Sequence, residues 1–250
     1  MTLPAAFFAH PIAHHALHDR ANGRVENSLA SIQAAIDAGY GIEIDVQLTR
    51  DGHAVVFHDD LLDRLTAQTG PVRARDLTEL AQISLTDDAG KIPTLPEVLA
   101  QVNGQVPLLI EIKDQDGEMG PNVGPLERAT AAALANYAGD VAVMSFNPHS
   151  IAAMARLAPQ IPRGITTSSY LAKFWPEVPA ARRDELRDIP DYERTGACFI
   201  SHEANDLHRP RVAALKAQGA RVLCWTIRSP AAEAKAREVA ENVTFEGYRA

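Results

Sequence analysis

Short apolar segments alternate with alanine-rich segments along almost the whole chain, and this alternation limits the fold more than any other feature. The apolar segments predict eight strands, at residues 8–14, 41–46, 108–113, 141–146, 164–168, 198–202, 221–227 and 243–246. The segments between them predict helices. The first, LASIQAAIDAG, follows the capping residues Asn27 and Ser28 and stops at Gly39. Eight strands separated by helices in 250 residues predict one α/β domain, residues 1–250, with a TIM (β/α)8 barrel fold. A doubly wound parallel sheet is the alternative that the strand count disfavours.

Two long segments interrupt the alternation. Residues 59–107 contain a hairpin-like continuation, a polar stretch and a helix, which predicts a small insertion after strand 2. Residues 169–195 follow the fifth strand and are rich in proline, charge and aromatic residues. Because loops after barrel strands lie on the catalytic face, the second segment is either a wall or lid of a substrate site or a plain surface loop.

Composition excludes several classes of protein. A net charge of −8 argues against a general nucleic-acid or anionic-membrane binder. Cys198 and Cys224 lie in apolar runs, which predicts buried thiols and no disulfide framework. The sequence shows no secretory signal and no run of 18 apolar residues, so we expect a cytoplasmic enzyme without a membrane span.

Acidic residues occupy strand positions where core side chains are expected. In GIEIDV, residues 41–46, the isoleucines can face the helices, so Glu43 and Asp45 point into the barrel. LLIEIK, residues 108–113, repeats the pattern with Glu111 and Lys113. Converging buried carboxylates repel one another unless a cation lies among them, and all-oxygen ligation favours Mg²⁺ or Ca²⁺. A structural network with lysine or arginine is the alternative for one such strand, but repetition on two strands favours a metal.

Two histidines complete this group. His14 ends the first predicted strand, and His58 follows the run AVVF. A histidine at a strand end is commonly a polar core or loop residue, but both would flank the acidic cluster at the catalytic end of the barrel. There they can act as general base and general acid, while Lys113 stabilises negative charge on a phosphoryl group. A hard cation, a lysine and two histidines in one pocket indicate phosphodiester cleavage.

The chain also resembles the glycerophosphodiester phosphodiesterases, in the short bacterial form. That family typically carries His-Arg-Gly, Pro-Glu-Asn-Thr, Glu-x-Asp-Val, Thr-x-Asp-Gly and His-Asp motifs. In the same order, this sequence contains IAHHA, VENS, EIDVQLTRDG, VVFHDDLLDRLT, KIPTLPEVL, LLIEIK, MSF and VLCWTI. The resemblance covers nearly the whole chain, and its ordered set of motifs is specific even where single motifs are weak.

The resemblance implies a TIM barrel that hydrolyses glycerophosphodiesters to glycerol 3-phosphate and an alcohol, with a divalent metal, Mg²⁺ or Ca²⁺. It implies that His14 and His58 form the acid–base pair and that Lys113 holds phosphate. The metal ligands it implies are Glu43, Asp45 and Glu111, and the residues beside the substrate are His15, Glu26, Asn27 and Trp225. Asn27 can instead cap its helix, and a buried tryptophan on a barrel strand needs no further role.

Some residues depart from the family pattern. His15 replaces the arginine that normally contacts phosphate, and histidine cannot reproduce that bidentate donor. His18 or Arg20, in the same loop, can compensate. Ala16 replaces a glycine, Val25 replaces a proline, and the C-terminal NVTFEGYRA lacks the common Asp-x-Pro pattern.

Three interpretations follow from this set. The first is the glycerophosphodiester hydrolase. The second is a lysophospholipase D-like or other phosphodiesterase, with Tyr170, Phe174 and Trp175 shaping an apolar wall for a larger leaving group. The third is an inactive phosphodiester-binding relative, for which His15 is the only support. The expected partner is a small-molecule phosphodiester rather than nucleic acid. The sequence carries no interface signature, so a homo-oligomer remains an open alternative.

Overall fold

Eight parallel strands form a closed ring in the computed structural model, which describes residues 1–250 apart from the side chain of Asp88. They are β1 (Ile12–Ala13), β2 (Gly41–Leu48), β4 (Leu108–Ile112), β5 (Val141–Ser145), β6 (Arg163–Thr167), β7 (Phe199–Glu203), β8 (Arg221–Ile227) and β9 (Asn242–Phe245). Ile12 pairs with Gly41 on one side and with Thr244 on the other, so β1 joins the two ends of the sheet. The predicted TIM barrel is confirmed.

Helices occupy the connections between strands, as the alternation predicts. They are α1 (Leu29–Ala38), α2 (Leu77–Leu80), α3 (Leu95–Val102), α4 (Pro125–Leu134), α5 (Pro148–Leu157), α6 (Ala180–Arg187), α7 (Pro210–Ala217) and α8 (Pro230–Ala236). The Ser28 hydroxyl caps α1 by accepting the backbone N–H of Ser31, and Gly39 ends the helix with φ 73°. Among the described residues, no helix has both the length and the apolar character needed to cross a bilayer.

The first strand is shorter than predicted. Only residues 12 and 13 form β1, whereas residues 5–8, of which Phe8 was expected to start the strand, form a 3-10 turn. Two features explain the difference. Pro11 cannot donate to a ladder, and the Asn242 amide donates to the carbonyls of Phe7 and His10 at 2.7 and 2.8 Å. Phe7 is thereby buried in the barrel interior with Leu109 and Phe199.

The predicted strand faces are confirmed by the burial pattern. Ile42, Ile44 and Val46 of β2 and Leu108, Ile110 and Ile112 of β4 pack in one cluster with the helix residues Ile32, Val98 and Leu126. The intervening positions therefore face the barrel interior. In the register between β2 and β4, Asp45 lies directly opposite Glu111. The closed sheet thus places carboxylates from neighbouring strands side by side at the carboxyl end of the barrel.

The insertion after β2 forms a separate layer outside the ring. Strand β3 (Ala54–Val56) pairs antiparallel with β2, and the following residues enclose a small apolar cluster around Phe57, Leu62 and Leu80. This cluster anchors both sides of the turn between Phe57 and Leu62. As a result, His58 and Arg64 extend over the same end of the barrel as the carboxylates.

Candidate active site

Three buried carboxylates form the centre of the site. One carboxylate oxygen each from Glu43, Asp45 and Glu111 lies within 4.8 Å of the other two, and the three residues are 1%, 1% and 6% exposed. Burial and the neighbouring charges of Asp45 and Glu111 raise the pKa of Glu43 well above its usual range. The cluster therefore disfavours full ionisation when it holds no cation.

Lys113 lies directly against this cluster. Its ammonium donates to Glu111 at 3.0 Å and lies 3.4 Å from Asp45. Burial disfavours the ammonium, but these two carboxylates outweigh that effect and raise the pKa of Lys113 above its usual range. Burial raises the pKa of Asp45. The charges of Lys113 and the nearby histidines outweigh burial and hold that pKa well below normal. One fixed positive charge therefore lies beside the predicted metal position.

Asn27 holds the central carboxylate in place rather than capping α1. Its amide nitrogen donates to Asp45 Oδ2 at 2.9 Å, and its amide oxygen accepts the backbone N–H of Asp45 at 3.3 Å. The backbone of Asn27 has φ 57°, a left-handed conformation that asparagine tolerates. Asparagine is well suited to this position because the contact needs a donor, an acceptor and that backbone geometry together.

The His58 side chain is oriented by a chain of ion pairs. Its Nδ1 donates to Asp59 at 2.8 Å, and Arg64 donates to Asp59 and, through two bonds of 2.6 and 2.7 Å, to Glu26. Burial of Asp59 opposes ionisation, but these bonds hold its pKa well below normal. Burial and the charge of Lys113 lower the pKa of His58, but Asp45 and Asp59 raise it by a larger amount. The pKa of His58 therefore lies above its usual value. Sequence reasoning missed Asp59 and Arg64.

The second predicted catalytic histidine, His14, has a carboxylate partner of its own. Its Nδ1 donates to Glu246 Oε2 at 2.7 Å, and His18 Nε2 lies 3.7 Å from the same oxygen. The hydrogen bond from His14, together with the nearby His18 ring, holds the pKa of Glu246 well below its usual range. A carboxylate can only accept, so in His14 and in His58 the proton lies on Nδ1 and Nε2 is available for proton transfer. Sequence reasoning missed Glu246, although it directly follows the last strand on the same rim.

His15 occupies the space between the two candidate catalytic imidazoles. Its ring stacks on His14 at a centroid distance of 3.7 Å and lies 4.7 Å from His58. Its backbone N–H donates to Glu43 at 3.0 Å, and its Nε2 lies 3.3 Å from Asp45. Burial and the charge of His14 lower the pKa of His15 well below normal, which favours a neutral ring. His15 therefore lacks the permanent charge of an arginine.

One cavity of about 410 Å³ brings these groups together, apart from Asn27 and Asp59, which hold Asp45 and His58 by hydrogen bonds. The predicted residues on its wall are His14, His15, Glu26, Glu43, Asp45, His58, Glu111, Lys113 and Trp225. The Trp225 indole packs edge-on against Phe146 at 5.4 Å and donates to the carbonyl of Ser201. His18, Arg64, Arg228 and Glu246 also line the cavity. The expectation that Arg20 compensates for His15 is not supported, because its guanidinium pairs with Asp87 instead.

Comparison with known proteins places this geometry in one family. The model of the glycerophosphoryl diester phosphodiesterase family matches residues 13–243. The chain belongs to this family. A glycerophosphodiester phosphodiesterase of Caldanaerobacter subterraneus is 32% identical over 160 residues, which cover 60% of this chain and 64% of that protein. One of Bacillus subtilis is 28% identical over 205 residues, covering 70% and 67%.

A solved structure of the family has the same fold and carries a product. It is a phosphodiesterase of Oleispira antarctica in complex with sn-glycerol-3-phosphate, and it is 26% identical to this chain. Its TM-score is 0.77, and the superposition covers 96% of this chain and 94% of that one. The predicted enzyme class, a glycerophosphodiester phosphodiesterase, is confirmed by these relatives and by the family match.

The donor set of this phosphodiesterase fits a hard divalent cation. Its three closely spaced ligand atoms are all carboxylate oxygens, the donors that Mg²⁺ and Ca²⁺ prefer over nitrogen or sulfur. The raised pKa of Glu43 is the expected mark of a carboxylate cluster without its counter-charge. Glu43, Asp45 and Glu111 would therefore hold such an ion, with Lys113 beside it.

Proposed function

We propose that the enzyme hydrolyses water-soluble glycerophosphodiesters to glycerol 3-phosphate and an alcohol, with a divalent metal and a two-histidine acid–base pair. The observation that carries this proposal is the arrangement around the three carboxylates. His14 and His58 line the same cavity as the carboxylates, with His15 3.7 Å from the one ring and 4.7 Å from the other, and each ring is fixed by its own carboxylate, Glu246 or Asp59. This is the geometry required of two imidazoles that transfer protons in opposite directions.

The two histidines have different proposed roles. His14 accepts the proton of the attacking hydroxyl at Nε2 as the new oxygen–phosphorus bond forms. His58 donates its proton to the alcohol oxygen as the second phosphorus–oxygen bond breaks, and the raised pKa of His58 favours the protonated ring that this step requires. Lys113 places a buried positive charge beside the phosphoryl group, and a bound Mg²⁺ or Ca²⁺ supplies further stabilisation of negative charge there.

The attacking hydroxyl belongs either to water or to the 2-position of the glycerol. Attack by the glycerol hydroxyl forms a cyclic phosphate that water then opens, whereas direct attack by water gives glycerol 3-phosphate in one step. Time-resolved phosphorus NMR during turnover distinguishes the two, since only the first produces a cyclic phosphate signal.

The test is release of glycerol 3-phosphate from glycerophosphoethanolamine and bis-glycerophosphate, with Mg²⁺, with Ca²⁺ and with a chelator. We expect metal-dependent release that Glu43→Gln abolishes, and a fall in kcat of at least ~100-fold for His14→Ala and for His58→Ala. Exposed His53 lies outside the cavity, so His53→Ala is the matched histidine control. Near-normal kcat in both active-site histidine variants would refute the assignment.

A further inference from the structure

A second, larger cavity adjoins the candidate active site. It measures about 720 Å³ and shares His58, Glu111, Lys113 and Trp225 with the first cavity, whereas His14 lines only the first. The two cavities therefore adjoin, and the second, here called the side groove, lies on the side of the site formed by His58 and not by His14. A group attached to the phosphorus on that side extends into the side groove.

Aromatic residues from three parts of the fold form the apolar wall of the side groove: the end of β5, the loop after β6, and β8. Trp175 packs against Phe146 at 4.8 Å, and Phe146 packs against Trp225 at 5.4 Å. Phe174 is 62% exposed on the rim, and Met119 and Val178 contribute further apolar surface. Such a continuous apolar wall beside a polar reaction centre is typical of a site for an apolar part of a substrate.

Hydrogen bonds hold this wall in a defined shape. Arg183 donates to the carbonyls of Trp175, at 3.1 Å, and of Val178. Arg182 donates two bonds, at 2.8 and 3.2 Å, to the carbonyl of Met119, which joins the loop after β4 to helix α6. The side groove is thus formed by the fold before any ligand binds.

Two half-buried carboxylates of the side groove, Glu203 and Asp114, hold loops. Glu203 Oε2 accepts from the Ser168 hydroxyl and from both the hydroxyl and the backbone N–H of Ser169. Asp114 accepts from the backbone of Gly117 and Met119 and from the Asn147 amide. These acceptors are satisfied within the protein. Asp60 likewise accepts from Gln47, and Glu111 accepts from Lys113. Of the carboxylates that line the side groove, this leaves the exposed Glu177 on the rim to face a cationic alcohol, so the aromatic surface is the larger feature open to a ligand.

We propose that the side groove binds the departing alcohol of the substrate and that this alcohol carries a single apolar chain. This inference rests on the proposed function, because it names the substrate class of the same reaction. Glycerol and phosphate occupy the first cavity, and the chain lies along Trp175 and Phe174. A glycerol phosphodiester of a medium-length alkanol is then a better substrate than one of a short alcohol.

The experiment compares kcat/KM for the ethyl, butyl and octyl esters of glycerol 3-phosphate, and for glycerophosphocholine, at one metal concentration. We expect kcat/KM to rise at least ~10-fold from ethyl to octyl, as burial of added methylenes requires. Phe174→Ala should lower the octyl value ~5-fold or more and leave the ethyl value within ~2-fold. Leu171→Ala is the matched control, since Leu171 is 46% exposed on the same loop but outside the side groove.

Each other outcome overturns a different statement. Equal kcat/KM for the three alkyl esters, or a preference for the choline ester over octyl, would refute the apolar assignment while leaving the phosphodiesterase intact. Hydrolysis of none of the four diesters would refute the proposed function itself.

Discussion

Replacing Glu43 with glutamine should affect stability in opposite directions with and without metal. Glu43 is 1% exposed and lies beside Asp45 and Glu111, so its pKa in the folded, metal-free protein is raised. A group with a raised folded pKa contributes stability that is complete below its unfolded pKa and is lost as the pH rises through the folded value. At pH 7 to 8 the unfolded chain would have Glu43 ionised, so the folded site costs stability whether Glu43 keeps its proton there or loses it, and glutamine removes that cost.

The magnitude of this gain follows from the same linkage. A difference of one in pKa corresponds to about 1.4 kcal/mol, so the metal-free variant should gain at least ~1 kcal/mol. For a chain of this size that raises Tm by roughly 2–4 °C. The gain should shrink as the pH falls through ~4.3, the pKa of a glutamate in the unfolded chain, and should vanish roughly one pH unit lower, where the carboxyl is protonated in both states.

Adding metal should make the wild type more stable than Glu43→Gln. An ion present at ~100 times its Kd stabilises the folded wild type by about 2.7 kcal/mol, which corresponds to a rise in Tm of roughly 5–11 °C. Glu43→Gln lacks one of the three anionic ligands and should bind the ion much more weakly. Its Tm should therefore rise by less than ~2 °C under the same conditions, a small fraction of the rise for the wild type.

Scanning calorimetry at pH 7.5 with EDTA, with Mg²⁺ and with Ca²⁺ measures both effects. Glu238→Gln is the matched control, because Glu238 is an exposed glutamate remote from the cavity. We expect it to follow the wild type in all three buffers. A full metal-induced rise in Tm for Glu43→Gln would show that the carboxylate cluster is not the metal site.

Three further predictions concern two carboxylates that hold the histidines and one apolar side chain of the barrel interior. Asp59→Asn removes the anion that helps raise the pKa of His58, so the acid-requiring limb of the pH–kcat profile should move to lower pH and kcat at pH 7.5 should fall ~10-fold. Glu246 has a lowered pKa, so its contribution is present above ~4.5 and is lost as the pH falls. In urea unfolding, the free energy of unfolding of Glu246→Gln should therefore be ~1 kcal/mol below that of the wild type at pH 7, and the difference should be smaller at pH 4. Phe7→Ala should destabilise the barrel by ~3–5 kcal/mol in the same assay, while the protein that remains folded keeps its KM.

The strand faces and the acidic cluster were predictable because they depend on local alternation. A charged residue flanked by isoleucines, as at Glu43 or Glu111, is conspicuous in a period of two and can face only the barrel interior. The exact register that places Asp45 opposite Glu111 depends on the pairing of β2 with β4 and could not be obtained from either segment alone.

The groups that orient the histidines were harder to predict. Glu246 reaches His14 across 232 residues of sequence, and Arg64 reaches Glu26 across 38, so these contacts exist only once the ring and the insertion are folded. The carboxylate after the last strand was nevertheless a usable signal, because the carboxyl ends of all barrel strands share one rim. Arg20 was expected to compensate for His15 because the two residues are close along the chain, but its guanidinium pairs with Asp87.

Ring closure by β1 has a consequence for how the protein becomes active during synthesis. The two residues of β1 are made before most of the ring, yet Ile12 pairs with Thr244, and His14 binds Glu246, each 232 residues further along the chain. Contacts of such long sequence range form late in folding. A nascent chain can therefore complete the carboxylate cluster on β2 and β4 long before His14 is fixed, and we expect metal binding to precede catalytic competence by about the time needed to translate from β4 to Glu246.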